Sequence, residues 1–350
     1  MYIEREKLWK GQAPAAPPAR YPRPPPIMNT VTAAAFRASR DALPDAVSRV
    51  DARELDALSF TARFVVPSLP VLLSHAVDDW RALDEWADER ALIRAAGDAV
   101  VMLSTTPDGR ADSVSGDAFR LPHETHLPLR SALHALGNCC GVAYISAQSD
   151  SLRRETPQLL DAVNGGASRL SAALGALEAV NLWISRGQPR PVSSWHCDHY
   201  DNLHTVVAGE KTFALLPPHS AGVLRKRRVA PARWAHDDGA CERVTRPLAP
   251  DRASGRDCWS LSPAPDALPP GETTVPWTSA RADEVAALSP FIVRVAAGET
   301  LFIPARWYHE VTSGSETSGL TIAVNAWHEA PSLGGLAAAA LFAESLAGAT

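Results

Sequence analysis

Two histidines and one aspartate have the types and spacing of a metal site in this chain of 350 residues. His196 and Asp198 are separated by one residue, so their side chains point to the same face if that stretch is extended. His309 follows much later, in the segment FIPARWYHEV. Two imidazoles and one carboxylate leave three coordination positions open, which is the arrangement that binds non-haem Fe(II). We therefore predict a metal centre with room for small ligands rather than a closed structural zinc site.

A lysine close to this cluster in the sequence predicts an anion-binding group. Lys211 begins the second strand of a predicted hairpin whose turn lies at Gly209. Lysine is rare in this chain, which has four among its 34 basic residues. In the mouth of a barrel its ammonium would pair with the far carboxylate of a bound diacid. His199 is a rival metal ligand, although it lies on the opposite face of an extended strand. His204 is either a pocket residue or a packed core histidine.

The elements that must position these residues are mainly short strands in the second half of the chain. Strands are predicted at Gly141–Ser146, Val180–Ser185, Leu203–Val207, Lys211–Leu216, Phe291–Val295, Thr300–Ile303, Tyr308–Thr312 and Leu320–Trp327. Helices are predicted at Asp79–Ala96, Ala132–Leu136, Arg169–Leu177 and from Thr156–Pro157 onward. Helices first and strands afterwards indicate an α+β fold in which the strands form a sandwich or a barrel.

Composition divides the chain into segments. Residues 1–30 are rich in proline, which predicts a disordered extension. We expect a mostly helical support over 31–137 and a barrel core over 138–330. Within that core, the segment 217–290 is rich in Pro, Arg, Asp and Ser and has little periodicity, which predicts an inserted loop or lid. Residues 331–350 are predicted to form a helix that packs on its own domain or on a second copy, so a homodimer is left open.

Charge and cysteine content exclude several classes of protein. The formal net charge of −5 argues against a general nucleic-acid binder. No apolar run reaches the ~18 residues of a membrane helix, and no signal pattern begins the chain. The five cysteines include no CxxC pair, which argues against a cysteine-based zinc site or a disulfide framework. We expect a cytoplasmic protein, with the nucleus left open by the basic run Arg225–Arg228.

The segments around the candidate ligands resemble the Jumonji-C (JmjC) class of Fe(II)- and 2-oxoglutarate-dependent oxygenases. The resemblance lies in WHCDHYDNLHTVVAGEKTFALLPP, FIPARWYHEV and IAVNAWHE. Two further segments, TPDGRADSVSGDAF and GVAYISAQSDSL, resemble the JmjC domain-containing protein seven group, which are lysyl hydroxylases. The resemblance extends from about Phe60 to about His328. It implies a double-stranded β-helix, a cupin-like barrel with a helical region packed outside it.

The resemblance also implies roles for individual residues. The iron ligands that it implies are His196, Asp198 and His309. The residues that it implies for the 2-oxoglutarate site are Lys211, Tyr144, Ser193, Asn202, His204 and Asn325. Among them, Lys211 and Tyr144 would hold the C5 carboxylate. His204 departs from the aromatic residue that is usual in this group.

The activity that the resemblance implies is hydroxylation of a lysine side chain in a partner protein. Dioxygen and 2-oxoglutarate would be consumed, and succinate and CO2 released; substrates in this group are GTPases. A lysine substrate needs acidic partners, and Asp237, Asp238 and Glu242 in the insertion are candidates. No direct nucleic-acid or membrane partner is expected.

Several alternative functions stay open. One is hydroxylation of Asn, His or Arg, and another is demethylation of methyl-lysine, although the chain carries no Cys/His-rich module of the kind that demethylases add. A third is an inactive binding scaffold, against which the presence of all three ligands and Lys211 argues. Peptidase activity has been attributed to the same group, but neither an HExxH motif nor a Ser/His/Asp constellation supports it here.

Overall fold

The computed structural model describes residues 43–187, 190–222, 224, 226–236, 258–280, 285–314 and 319–330. The predicted extension over 1–30 and the predicted helix over 331–350 lie outside the described residues. No helix within the described residues is long and apolar enough to cross a membrane.

The described part of the chain is built mainly from strands. The strands are β1 (Ser48–Asp51), β2 (Val71–Ser74), β3 (Val100–Thr106), β4 (Arg110–Ala111), β5 (Ser113–Ser115), β6 (Ala118–Leu121), β7 (His123–Pro128), β8 (Val142–Ile145), β9 (Leu177–Arg186), β10 (Val192–Cys197), β11 (Asp201–Ala208), β12 (Glu210–Leu216), β13 (Lys226–His236), β14 (Trp259–Pro263), β15 (Val275–Thr278), β16 (Phe291–Ala296), β17 (Thr300–Ile303), β18 (Tyr308–Ser313) and β19 (Leu320–His328). The α-helices are α1 (Ala57–Phe60), α2 (Ala82–Glu85), α3 (Glu89–Ala96), α4 (Leu129–Ala135) and α5 (Ser151–Arg154). Short 3-10 or π turns lie at Ala52–Glu54, Thr61–Val65, Pro157–Gly166, Ser171–Ala173, Pro218–Gly222 and Pro265–Ala267.

Eight strands in two facing sheets form the double-stranded β-helix that the sequence predicts. One sheet has the order β1-β2-β17-β11-β19-β9-β8-β3-β7, and the other has the order β16-β12-β18-β10-β4. The barrel is made of β17, β11, β19 and β9 from the first sheet and β16, β12, β18 and β10 from the second. Neighbouring barrel strands within each sheet are antiparallel. The α+β, cupin-like fold is thereby confirmed.

Two hydrophobic cores lie on opposite faces of the larger sheet. Because side chains alternate along a strand, Leu301 of β17 packs into the barrel core with Phe213 and Val206. Its neighbour Phe302 faces the other side and packs edge-on against Phe60, at a ring-centroid distance of 5.1 Å. The helices cover this outer face. The barrel interior is thus walled by apolar side chains, and the polar residues within it are exceptions that need an explanation.

The first third of the chain differs from the mostly helical support that was predicted. The predicted helix Asp79–Ala96 is two helices, α2 and α3, because Asp88 adopts an extended conformation and its side chain caps α3 by accepting from the Arg90 N–H. Strands β3 to β7 occupy much of the remainder. Val100–Thr106, for example, is rich in β-branched residues and pairs with strands on both sides.

Two further predictions of secondary structure are corrected. The predicted helix Arg169–Leu177 is only a 3-10 turn, after which the chain enters β9 at Leu177. The insertion 217–290 contains regular structure, because β13 pairs with β14 and β15 and also runs parallel to β6. Local periodicity did not indicate β13, since its partner β6 lies about a hundred residues earlier in the chain.

Candidate active site

The edge-to-edge pairing of β10 and β18 brings the three predicted metal ligands together. His196 lies directly opposite His309 in the antiparallel register, and Asp198 follows the last residue of β10. The two imidazole rings are 4.2 Å apart between centroids, and Asp198 Oδ2 lies 3.7 Å from His309 Nε2. One ligand atom from each of the three residues lies within 4.8 Å of the others. These distances leave space for one cation at the centre of the group.

Backbone carbonyl groups orient both imidazoles. The Nδ1 atom of His196 is 2.7 Å from the carbonyl oxygen of Ser194, and that of His309 is 3.0 Å from the carbonyl oxygen of Trp307. An N–H at Nδ1 donates to each oxygen, which leaves the Nε2 lone pair for a metal. This is the usual way in which a protein sets the tautomer of a ligating histidine.

Burial makes the group unfavourable without a cation. Asp198 and His309 are 7% and 4% exposed. Burial raises the pKa of the Asp198 carboxyl and, together with the charge of His196, lowers the pKa of His309 well below its ordinary value. Within the described residues, Asp198 Oδ1 has no hydrogen-bond partner. A buried oxygen without a described partner, beside two imidazoles that present Nε2, fits a divalent cation.

A cavity lined partly by β10, the strand that carries His196, contains three of the predicted cosubstrate residues, Lys211, Tyr144 and Ser193. Lys211 is 3% exposed, and burial lowers its pKa to about 7. It forms no salt bridge with a described carboxylate, and its ammonium lies 4.9 Å from the ring centroid of Trp183. The buried Tyr144 hydroxyl also has no partner among the described residues. Both groups could bind an anion that enters this cavity.

The remaining three predicted site residues lie on β11 and β19. Asn325 Nδ2 donates to Asn202 Oδ1 at 3.3 Å, and Trp183 Nε1 donates to Asn325 Oδ1 at 2.7 Å. His204 is directly opposite Asn325 in the strand register. Burial lowers the pKa of His204 far below its usual value, as do the charges of Lys211 and His309, so it lies within electrostatic reach of both. Its Nε2 atom has no partner within the described residues.

Sequence reasoning missed two tryptophans at the site. Trp183 lies beneath Lys211 and holds Asn325, and Trp277 of β15 stacks nearly parallel to His196 at a centroid distance of 6.3 Å. Trp183 was inside the predicted strand Val180–Ser185, so the alternation of side chains along that strand could have indicated that it faces the barrel interior. Trp277 lies in the insertion, where no element was predicted.

Sequence reasoning also missed Asp112, which lies beside the strand of the first ligand. Strand β4 runs parallel to β10, and the Ser194 hydroxyl donates to the backbone oxygen of Asp112. Burial raises the pKa of the Asp112 carboxyl to about 6; the charge of His196 opposes this shift and that of Glu124 adds to it. The Asp112 charge in turn contributes to the raised pKa of Tyr144. Asp112 is therefore an acidic group within electrostatic reach of both the metal cluster and the cavity.

The other candidates of the sequence either lie apart from the group of ligand atoms or fall outside the described residues. His199 does not belong to the group of ligand atoms around Asp198. The proposed acidic partners Asp237, Asp238 and Glu242 lie outside the described residues. Chemically, the arrangement offers a cation site with open positions, a cavity with a buried ammonium beside it, and a carboxylate nearby.

Comparison with known proteins places both ligand-bearing strands inside the matched region. Residues 57–333 match the cupin-like domain family. The chain is 34% identical over 279 residues to the human bifunctional peptidase and (3S)-lysyl hydroxylase JMJD7, a match that covers 78% of this chain and 81% of that protein. It is 33% identical over 282 residues to the lysine-specific demethylase JMJ32 of Arabidopsis thaliana, covering 78% and 79% of the two chains. The JmjC domain-containing protein E of Dictyostelium discoideum is 29% identical over 296 residues, with 78% and 81% covered.

Proposed function

The chain belongs to the cupin-like JmjC family of oxygenases, and from that premise we propose that it is a 2-oxoglutarate-dependent hydroxylase of a lysine side chain in a partner protein. Enzymes of this family depend in general on Fe(II) and 2-oxoglutarate. One observation carries the proposal for this chain. A buried His-Asp-His group with an orphaned carboxylate oxygen lies in the same barrel as a buried lysine that has no acidic partner among the described residues.

The residues fit both groups. His196, Asp198 and His309 would hold the iron and leave three positions for the cosubstrate and dioxygen. Lys211 and the Tyr144 hydroxyl would bind the far carboxylate of 2-oxoglutarate, which satisfies two buried polar groups at once. Iron and 2-oxoglutarate, when bound, supply the oxidising power by which dioxygen hydroxylates an unactivated carbon, yielding succinate and CO2. The protein's own part is to orient the bound groups and to exclude water from them.

Lysine as the target residue is supported by one relative and one side chain. The human relative carries (3S)-lysyl hydroxylase in its name. In this chain, Asp112 supplies a carboxylate beside the ligand strand, where an incoming lysine ammonium needs an opposite charge. A bound lysine ammonium would offset the free-energy cost of holding the Asp112 carboxylate away from water. The partner class that we propose, by resemblance, is a GTPase encountered in the cytoplasm.

The experiment that tests the proposal is anaerobic addition of Fe(II) and then 2-oxoglutarate to the purified protein. We expect the visible charge-transfer band of a metal-chelated 2-oxo acid. The band should vanish in Asp198→Ala and should require much more 2-oxoglutarate in Lys211→Met. Matched controls are Asp98→Ala and Lys226→Met, both at exposed positions. No band in folded, iron-loaded wild-type protein would refute the oxygenase proposal.

Demethylation of methyl-lysine is a second candidate, because the Arabidopsis relative is named a lysine-specific demethylase. The two activities differ in the product. Incubation with lysine-containing and methyl-lysine-containing peptides, followed by mass spectrometry, distinguishes the gain of one oxygen atom from the loss of a methyl group. We expect the gain of one oxygen atom, bound to a carbon of the lysine side chain. Release of formaldehyde without a stable hydroxylated product would favour the demethylase.

A further inference from the structure

A second group of metal-binding side chains lies away from the His-Asp-His site, where the insertion meets the chain that leads into β8. Cys140 lies two residues before β8, His236 is the last residue of β13, and Cys258 immediately precedes β14. One ligand atom from each of the three lies within 4.8 Å of the others. The sulfur of Cys140 is 3.2 Å from His236 Nε2 and 3.6 Å from the sulfur of Cys258. Three donors from three separate segments therefore converge on one point.

These separations match a zinc site. Tetrahedral zinc with ordinary bond lengths holds two sulfurs about 3.8 Å apart and a sulfur and a nitrogen about 3.5 Å apart. Two thiolates and one imidazole are the donor types that structural zinc sites use, with a fourth ligand completing the tetrahedron. The described residues supply three of the four positions.

Regular structure positions the donors. His236 is directly opposite Trp259 in the pairing of β13 with β14, so the end of one strand and the start of the other are locked together. The Trp259 indole N–H donates to the backbone oxygen of Cys140 at 3.1 Å, and the indole ring lies 4.7 Å from the His236 ring. A Cβ on Gly141 would lie only 2.6 Å from the Thr106 oxygen, so the chain after Cys140 passes close to β3. Cys258 itself is 3% exposed.

We propose that the reduced protein binds one zinc ion through Cys140, His236 and Cys258. The ion would tie the end of β13 and the start of β14 to the chain that leads into β8, the strand of Tyr144. Because such ligands come together only in the folded chain, binding the ion stabilises that arrangement. The absence of a CxxC pair, which argued against a cysteine-based zinc site, follows from donors that come from three separate segments.

The redox state of Cys140 sets the conditions of the test. Cys140 is disulfide-bonded in this structure. A phosphine reductant cleaves the disulfide by a two-electron transfer, and water supplies the oxygen of the phosphine oxide and the protons of the two thiols. Coordination then displaces the thiol protons to solvent. The experiments therefore use protein that has been reduced with a phosphine.

The first experiment replaces zinc with Co(II), which reports on the ligand type. Thiolate ligands give sulfur-to-cobalt charge-transfer absorption in the near ultraviolet, and the His-Asp-His site contains no sulfur. We expect this absorption in the wild type and in the matched control Cys139→Ser, where an exposed cysteine next to the site is changed. We expect its loss in Cys140→Ser and in Cys258→Ser. Absence of the absorption in reduced wild type, or its persistence in both variants, would overturn the proposal.

The second experiment uses only protein of native sequence at these cysteines, so misfolding of a variant cannot decide it. Reduced wild type and Asp198→Ala are alkylated with iodoacetamide, with and without zinc, and labelled cysteines are located by mass spectrometry. Zinc should protect the half-buried Cys140 from labelling and leave the exposed Cys139 reactive, whereas Cys258 is already shielded by burial. Protection should persist in Asp198→Ala, which lacks a ligand of the His-Asp-His site. A failure of the proposed iron site can therefore be told apart from a failure of the proposed zinc site. Equal labelling of Cys140 with and without zinc would exclude the site.

Discussion

Lys211 is a pH-dependent binding group because it is buried and has no carboxylate partner among the described residues. Burial lowers its pKa from 10.5 to about 7, so above pH 7 it is mostly neutral in the cosubstrate-free protein. A carboxylate binds the protonated form, and binding must then take up a proton. We predict that the Kd for 2-oxoglutarate, measured by calorimetry on anaerobic Fe(II) protein, is level below pH 7 and rises roughly tenfold per pH unit above it.

Two lysine variants separate this effect from the general charge of the protein. Lys211→Met should weaken binding by about 2–4 kcal/mol at pH 7 and abolish the slope. Lys226→Met, at an exposed position, should keep both the affinity and the slope. An unchanged slope in Lys211→Met would assign the titration to another group.

The lowered pKa of Lys211 also affects stability in the absence of cosubstrate. Between pH 7 and 10.5 the unfolded chain binds more protons at this lysine than the folded chain does, so stability rises with pH in that window. At pH 7 the buried lysine therefore costs free energy. We predict that Lys211→Met raises the free energy of unfolding by roughly 1–4 kcal/mol, measured in urea at pH 7. A gain that persists undiminished at pH 10 would contradict this account.

The carboxylate of Asp112 is the residue on which the proposed lysine specificity depends. Its φ of 46° is a left-handed conformation that asparagine also tolerates, so Asp112→Asn removes the charge and keeps the turn. We predict that this change raises the KM for a lysine peptide roughly thirtyfold or more, which corresponds to about 2 kcal/mol of binding free energy. The KM for 2-oxoglutarate should stay nearly unchanged. Asp117→Asn, at an exposed position on the neighbouring turn, is the control. Equal effects on both KM values would mean that Asp112 serves the metal site instead.

At the scale of elements, the tight turn between β11 and β12 places Lys211. Gly209 has a φ of 73°, and a Cβ there would lie 2.7 Å from Thr321 Oγ1 and 2.8 Å from the Leu320 oxygen. We predict that Gly209→Ala lowers the free energy of unfolding by roughly 1–3 kcal/mol and weakens 2-oxoglutarate binding, because the hairpin must move away from β19. Gly298→Ala, with a φ of 84° but no atom within 4 Å of the added Cβ, should cost less and leave binding intact. Urea unfolding and calorimetry on both variants distinguish a clash from simple backbone strain.

The sequence indicated some strands and hid others for a physical reason. Short, mostly apolar runs that follow a glycine turn marked Lys211–Leu216 and Leu320–Trp327, because these strands contribute side chains to a core. The ligand-bearing strand Val192–Cys197 was missed, since its two serines and a proline just before it interrupt that pattern. Strand β13 was missed because its parallel partner β6 lies about a hundred residues earlier in the chain.

The same distinction holds for the site. His196 and Asp198 lie at the end of a single strand, so their residue types and their spacing in the sequence were enough to predict these two ligands. Asp112 and Trp277 come from separate segments that only the folded sheets bring beside β10, and nothing local marked them. The group formed by Cys140, His236 and Cys258 was hidden for the same reason. Local sequence thus predicts what one element positions, whereas sites assembled from several segments require the topology.

For the whole molecule, the two cores on either side of the larger sheet serve different purposes. Phe213 lies in the barrel core, two residues from Lys211 on the same strand face, with its ring edge-on to His204 at 4.9 Å. Phe302 lies in the outer core against Phe60. Both are fully buried and of equal size, so either change to alanine should cost about 3–5 kcal/mol of unfolding free energy in urea.

Ligand binding should separate the two cores where stability does not. A void left by Phe213→Ala adjoins His204 and the face that carries Lys211, so those side chains gain freedom and 2-oxoglutarate binding should weaken about tenfold or more. A void left by Phe302→Ala is separated from the cavity by the sheet, whose hydrogen-bonded strands change little when one side chain on the far face is removed. Calorimetry at a temperature where both variants remain folded tests this. Equal losses of affinity would show that the outer core, and not only the barrel core, holds the cosubstrate site in shape.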